Sequence, residues 1–370
     1  MKADFVSTDP SKPFRELNNV QIIIREIEKI SVEISERFRF MEVCGTHTMS
    51  AARNGLHSLL PKTVQLISGP GCPVCVTQPG YIVAACELAQ RGITVVTFGD
   101  LMRVPGGESS LERESASGAD VRVVYSPLDS LKYAKEEHDK EFVFLGIGFE
   151  TTVPTVAATI ESAKAQGVTN FSVLSAHKTM PMAMRALLDS PSLRIDGFLC
   201  PGHVSVITGT FIYEFIPKEY GIPCAVTGFE PLDILLGIRA LLKMRVENRY
   251  EVENVYARAV RAEGNEYARR IVESVFEPSD AEWRGIGNIP GSGLTIREEY
   301  SEFDAARRHG VTIPNIEPPR GCLCGEVLRG AKEPFDCPLF DKVCNPQSPI
   351  GACMVSSEGA CSAAWKYRRA

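Results

Sequence analysis

Apolar side chains at Leu17, Val20, Ile23, Ile24, Ile27, Ile30 and Ile34 recur in steps of three and four, which predicts an amphipathic helix within residues 14–37. Beyond that point the period changes. Eight short β-rich runs follow in order: "RFMEV", "TVQLIS", "ITVVTF", "VRVVYS", "FVFLGI", "FSVLSA", "DGFLC" and "PCAVTG". Segments with helical spacing, such as "GYIVAACELAQRG", "TVAATIESAKAQG" and "MPMAMRALLDS", separate most of them. Buried strands alternating with helices predict parallel sheets covered on both faces, so the expected fold class is α/β. The polar stretch "KYAKEEHDKE" divides the strands into two groups of four. Two α/β domains are therefore expected, residues 1–130 and 131–235. A charged helical pattern runs from Leu232 to about Phe276, and from Glu277 the chain is rich in Gly, Pro and Cys with little periodicity. Residues 236–370 are expected to form a third unit, helical and then loop-rich.

Composition narrows the class. A hydrophobic content of 44%, a charged content of 23% and a net charge of −6 describe a globular chain with no electrostatic pull toward nucleic acid or an anionic membrane. No apolar run approaches the ~20 residues a membrane helix requires. The opening "MKADFVSTDPSKPFREL" lacks the apolar centre of a signal peptide, and a cytoplasmic location is expected. Thiols are kept reduced there, so clustered cysteines point to metal or redox chemistry rather than structural disulfides.

The twelve cysteines are unevenly placed. Cys322, Cys324, Cys337, Cys344, Cys353 and Cys361 crowd the C-terminal region, and Cys44, Cys72 and Cys75 lie in Gly- or Pro-rich turns. Cys86, Cys200 and Cys224 sit in or beside apolar runs and read as small core residues.

Unusual residues fall after strands, where loops and helix N-termini build ligand sites in α/β sheets. Cys44-Gly45-Thr46-His47 follows the first run and "GPGCPVC" the second; Gly99-Asp100, Gly148 to Thr152, His177-Lys178-Thr179 and Pro201-Gly202-His203 follow four others. Six such placements predict one polar, thiol-bearing cleft. Thr46 or Thr48 could cap the following helix and Glu150 could accept helix N-terminal amides, and Asp100, Glu150 and Lys178 each have a structural reading as well as a functional one. His47 and His203 stand in Gly-containing turns, which favours function. No P-loop is present and no G-x-G-x-x-G follows a strand, so nucleotide binding is unsupported.

Cys44 opens a helix, where the dipole and loop amides should lower its pKa, and His47 could face it from the first turn. Nucleophile, metal ligand and structural cap all remain open. The Cys72/Cys75 pair is equally a redox couple, half of a metal site or buried filler. The C-terminal cysteines carry too little apolar sequence between them to fold unaided, so a cross-link is expected. Their spacings are Cys-x-Cys and then 12, 6, 8 and 7 intervening residues, which lack the paired knuckles of zinc ribbons. A [4Fe–4S] cluster takes four thiolates at irregular spacing and would leave two cysteines as a redox pair.

The ordered set "CGTHT", "GPGCPVC", "GFETT", "SAHKTMP", "PGHVSVI", "GFEPLDIL" and "PIGACMVSSEGAC" resembles the hydrogenase maturation factor HypD family along nearly the whole chain. The resemblance implies three α/β domains around a central cleft, the third carrying a [4Fe–4S] cluster. It implies a role in assembling the Fe(CN)₂CO group of [NiFe]-hydrogenases, with a HypC-type small chaperone sharing the iron and a HypE-type protein donating cyanide. Carried onto this sequence, Cys44 becomes the ligand to the iron under construction, and Cys72 and Cys75 the nearby thiol pair. Cys322, Cys337, Cys344 and Cys361 become the cluster ligands, and Cys324 and Cys353 the redox pair beside them. Two rivals are an iron–sulfur thiol–disulfide oxidoreductase acting on a protein partner, and an α/β binding protein with a structural zinc domain.

Overall fold

The computed structural model of the protein describes residues 12–368 apart from positions 35 and 192. Most of the polar opening segment and the last two residues of the basic tail lie outside the described residues. The amphipathic helix forms over Leu17–Ser31, with Val20, Ile23 and Ile27 turned inward. The eight expected strands all form: β1 (Phe38–Glu42), β2 (Val64–Ser68), β3 (Thr94–Thr97), β4 (Val121–Val123), β5 (Phe142–Gly146), β6 (Phe171–Ser175), β7 (Gly197–Pro201) and β8 (Cys224–Thr227).

The strands are shared out differently from the four-and-four expectation. One parallel sheet has the order β2-β1-β7-β8-β9, where β9 is Val252–Asn254, and the other has the order β4-β3-β5-β6. The chain begins one sheet, leaves to build all of the second, and returns. Residues 1–130 thus hold two strands of each sheet, as do residues 131–235. Every parallel crossover needs a covering helix whichever sheet receives the next strand, so the strand–helix alternation is the same for both arrangements.

The segment from Leu232 to Phe276 is not one helix. It comprises the helix Pro231–Val246, the edge strand β9 and the helix Glu266–Val275. The remainder holds an element its Gly and Pro content concealed: an antiparallel hairpin of β10 (Phe276–Trp283) and β11 (Gly287–Ile296). The Cys-rich end then folds back, and its last helix, Ala360–Tyr367, packs against the helix Gly45–Arg53 that follows Cys44. Cys86, Cys200 and Cys224 are buried, as expected of core residues. Among the described residues no helix is long and apolar enough to cross a membrane.

Candidate functional site

The carboxyl ends of strands from both sheets meet at one cavity of about 260 Å³. Cys44 after β1, Gly71 and Pro73 after β2, Phe149, Thr151 and Thr152 after β5, and Pro201 and His203 from the end of β7 line it. Glu358 reaches it from the C-terminal region. The loop after β6 shapes the wall without lining it: Lys178 N–H donates to Gly148 O at 3.0 Å, and Met180 N–H donates to Glu150 Oε1 at 2.8 Å. Asp100, after β3, lies within electrostatic reach of Glu358.

Cys44 is the residue preceding the helix Gly45–Arg53 and is buried. Its Sγ stands 3.3 Å from His203 Nε2. His47 does not meet it. The His47 ring turns away to Gly228 O, with Nε2 at 3.0 Å, and burial pushes its pKa down to about 4. Phe229 joins the two imidazoles, stacked on His203 at 4.1 Å and tilted against His47 at 4.8 Å.

The thiol of Cys44 is pushed up to about 12, contrary to the sequence expectation. Burial is the main cause and the Glu358 carboxyl adds to it. The expected amide effect is present, since the amides of His47 and Thr46 act in the lowering direction, but desolvation outweighs it. Thr46 Oγ1 donates to Glu358 Oε1 at 2.5 Å. Glu358 itself is held above the usual carboxylate range by burial.

Cys72 and Cys75 are joined as a disulfide at the start of the short helix Pro73–Val76, and both are buried. The pair adjoins Cys44: Gly45 N–H donates to Gly71 O at 3.0 Å, and a Cβ on Gly45 would lie 3.2 Å from Cys72 Cβ. Arg284, at the end of β10, reaches the same loop. Its Nε and Nη2 donate to Thr77 O at 3.0 and 2.8 Å. Cys322, Cys324 and Cys353 are all held above the ordinary thiol range on balance, and the Arg284 charge acts on each as a small effect in the opposite direction.

The six C-terminal cysteines share one neighbourhood. Cys324 Sγ and Cys353 Sγ are 2.7 Å apart. Cys361 is held well above the ordinary thiol range by burial, with further upward pushes from Cys324, Cys322, Cys344 and Cys337. Ile350 N–H donates to Cys344 Sγ at 3.4 Å, and Cys337 Sγ lies 3.9 Å from Gly321 O. The helix Ala352–Val355, carrying Cys353, packs against the helix Pro73–Val76, carrying Cys75. Among the described residues no group of three or more His, Cys, Asp or Glu side chains is arranged to hold a metal ion. The donor set itself is all thiol, the chemistry that suits iron–sulfur centres and zinc.

Three residues of this region were not singled out by the sequence. Phe229 backs His203, Arg284 bridges the disulfide loop to the thiol cluster, and Glu358 enters the cavity from across the fold. Phe229 and Glu358 carried a signal, Phe229 within "GFEPLDIL" and Glu358 as the one acid between the last two cysteines, whereas Arg284 carried none.

A family model described as "HypD: Hydrogenase formation hypA family" matches residues 18–368. The chain belongs to the HypD family. A hydrogenase maturation factor HypD of Rhizobium leguminosarum bv. viciae is 46% identical over 365 residues, covering 96% of this chain and 94% of its own. The HypD of Cupriavidus necator is 48% identical over 343 residues, with 90% of each chain covered. That of Azotobacter vinelandii is 46% identical over 341 residues, again with 90% of each covered. In this HypD-family chain the ordered motifs of the sequence supply Cys44, the Cys72–Cys75 loop, Thr151, Thr152 and His203 to a single cavity.

Proposed function

We propose that this chain holds iron on Cys44 while the Fe(CN)₂CO group of [NiFe]-hydrogenase is assembled, together with a HypC-type chaperone that contributes a second thiolate and a HypE-type protein that donates cyanide. The observation that carries the reading is the Cys44–His203 contact at 3.3 Å at the wall of the cavity beside a disulfide. Thiolate is a soft ligand suited to iron. An unligated Cys44 thiol keeps its proton at neutral pH, so iron must displace that proton, and His203 Nε2 is placed to take it. Cyanide and carbonyl favour low-spin ferrous iron, which calls for electrons at the site and exclusion of oxygen.

Cys322, Cys337, Cys344 and Cys361 would hold a [4Fe–4S] cluster, which when bound supplies electrons singly beside Cys324 and Cys353. The remaining steps belong to the thiols. A Cys324/Cys353 dithiol gives up two electrons and two protons as its own S–S bond forms, and the Cys72–Cys75 disulfide opens by accepting them. Packing of the Cys353 helix on the Cys75 helix favours such an exchange. The rival reading, oxidoreductase action on a protein partner, requires an accessible disulfide, and burial of both Cys72 and Cys75 weighs against it.

The test is anaerobic co-purification with the chaperone followed by infrared spectroscopy. Bands of iron-bound cyanide and carbonyl are expected, and are expected to vanish in Cys44→Ala. An iron-free complex without such bands, from cells that mature hydrogenase, overturns the proposal.

A further inference from the structure

Of the polar side chains that line the cavity, Cys44, His203 and Glu358 already have partners. Cys44 faces His203, Thr46 donates to Glu358, and Thr48 donates to Glu42 Oε2 at 2.8 Å. Two hydroxyls differ. Thr151 and Thr152 line the cavity half-buried, and among the described residues neither side chain has a hydrogen-bond partner. A hydroxyl that lines a cavity without a protein partner is free to donate to a ligand held there.

The loop that carries them is built with little freedom. Gly148 has φ +151, a region open to glycine, and a Cβ there would stand 2.5 Å from Thr152 Cβ and 2.6 Å from its Oγ1. Glycine therefore lets Thr152 close down on the loop. From behind, Glu150 Oε1 and Gly148 O are gripped by the amides of Met180 and Lys178. Thr152 precedes the helix Val153–Ala165, whose N-terminal end favours negative charge.

Cyanide bound to iron through carbon keeps a lone pair and much of its negative charge on the outward nitrogen, a strong acceptor. The oxygen of an iron-bound carbonyl is a weak one. We infer that Thr151 and Thr152 donate hydrogen bonds to the nitrogen ends of cyanide on the Cys44-held iron and so distinguish cyanide from carbonyl at this site. The inference rests on the scaffold reading above. Neither residue binds the metal; each is a specificity-determining donor, and Glu150 is a positioning residue behind them.

The measurement is the infrared spectrum of the anaerobic complex with the chaperone, for wild type, Thr151→Val/Thr152→Val and Thr151→Ser/Thr152→Ser. Hydrogen bonding at the nitrogen raises the cyanide stretch. The valine pair is therefore expected to shift the cyanide bands to lower wavenumber, or to lose them while iron is retained. The serine pair is expected to keep the wild-type bands. Cyanide bands at wild-type position and intensity in the valine pair overturn the inference, as does a serine pair that behaves like the valine pair. A wild-type complex that lacks cyanide and carbonyl bands altogether instead overturns the scaffold reading on which the inference stands.

Discussion

Gly71 lies so close to the backbone of Cys44 that a Cβ on it would stand 2.2 Å from both Cys44 Cα and Cys44 N. The disulfide loop and the iron-ligand candidate are thus pressed together backbone to backbone, a contact that no rotamer change can relieve. Gly71→Ala must separate the two loops. The expected cost is about 1–3 kcal/mol in denaturant unfolding, together with loss of iron from the anaerobically purified complex. A stability change within about 0.5 kcal/mol and full iron retention would contradict the packing described.

The Arg258–Asp233 pair anchors the start of the helix Pro231–Val246. Arg258 Nη1 and Nη2 donate to the two Asp233 carboxylate oxygens at 2.7 and 2.6 Å, and the Asp233 side chain is 1% exposed. Arg258→Met strands a buried carboxylate. Because the guanidinium is about one-third exposed, the expected loss is toward the low end for such pairs, about 2–3 kcal/mol. Adding Asp233→Asn should recover part of it, since no uncompensated charge remains. Equal unfolding midpoints for wild type and Arg258→Met would refute this.

Lys178 gives a pH signature. It is 4% exposed, donates from Nζ to Glu282 O at 2.8 Å and lies 5.5 Å from the Trp283 ring. Burial pushes its pKa down to about 8, with Glu282 pulling the other way, and the neighbouring His177 is held neutral by burial. Above that value the folded chain releases a proton that the unfolded chain keeps until about pH 10.4, so stability from this group rises with pH across that window. The gain is on the order of 3 kcal/mol. Unfolding measured near pH 8 and near pH 10 should show this rise in wild type relative to Lys178→Met, which cancels the titrations common to both. Parallel curves for the two proteins would rule it out.

The six C-terminal cysteines should separate into two classes. Serine at Cys322, Cys337, Cys344 or Cys361 is expected to remove the brown colour, iron and acid-labile sulfide of the anaerobic protein. Cys324→Ser with Cys353→Ser is expected to keep all three and still abolish hydrogenase maturation. Colour lost in the second class, or maturation intact in it, would break the proposed division of roles.

The sequence alone determined the local structure closely. "FVFLGI" is a short β-rich run apolar on successive residues and "FSVLSA" a mainly apolar one, both consistent with strands buried on both faces, and they form β5 and β6. The glycine-bearing stretches after β1, β2, β5 and β7 could be read as ligand loops because chain chemistry there is local. The hairpin of β10 and β11 was hidden because Pro278, Pro290 and several glycines interrupt its alternation, while its stability comes from pairing and from packing against the rest of the fold.

Tertiary structure decided everything that depends on which surfaces meet. Sheet membership was one case, since β7 follows all four strands of the second sheet in the chain yet pairs with β1. The partner of Cys44 was another. His47 is three residues away in sequence, yet its ring turns to Gly228 O, and His203 arrives from a neighbouring strand. The Cys44 thiol shows the same division: the helix-start amides that the sequence predicts do act on it, but burial beneath Glu358 and the opposite sheet acts more strongly. Local chemistry is written residue by residue, whereas desolvation is a property of the assembled fold.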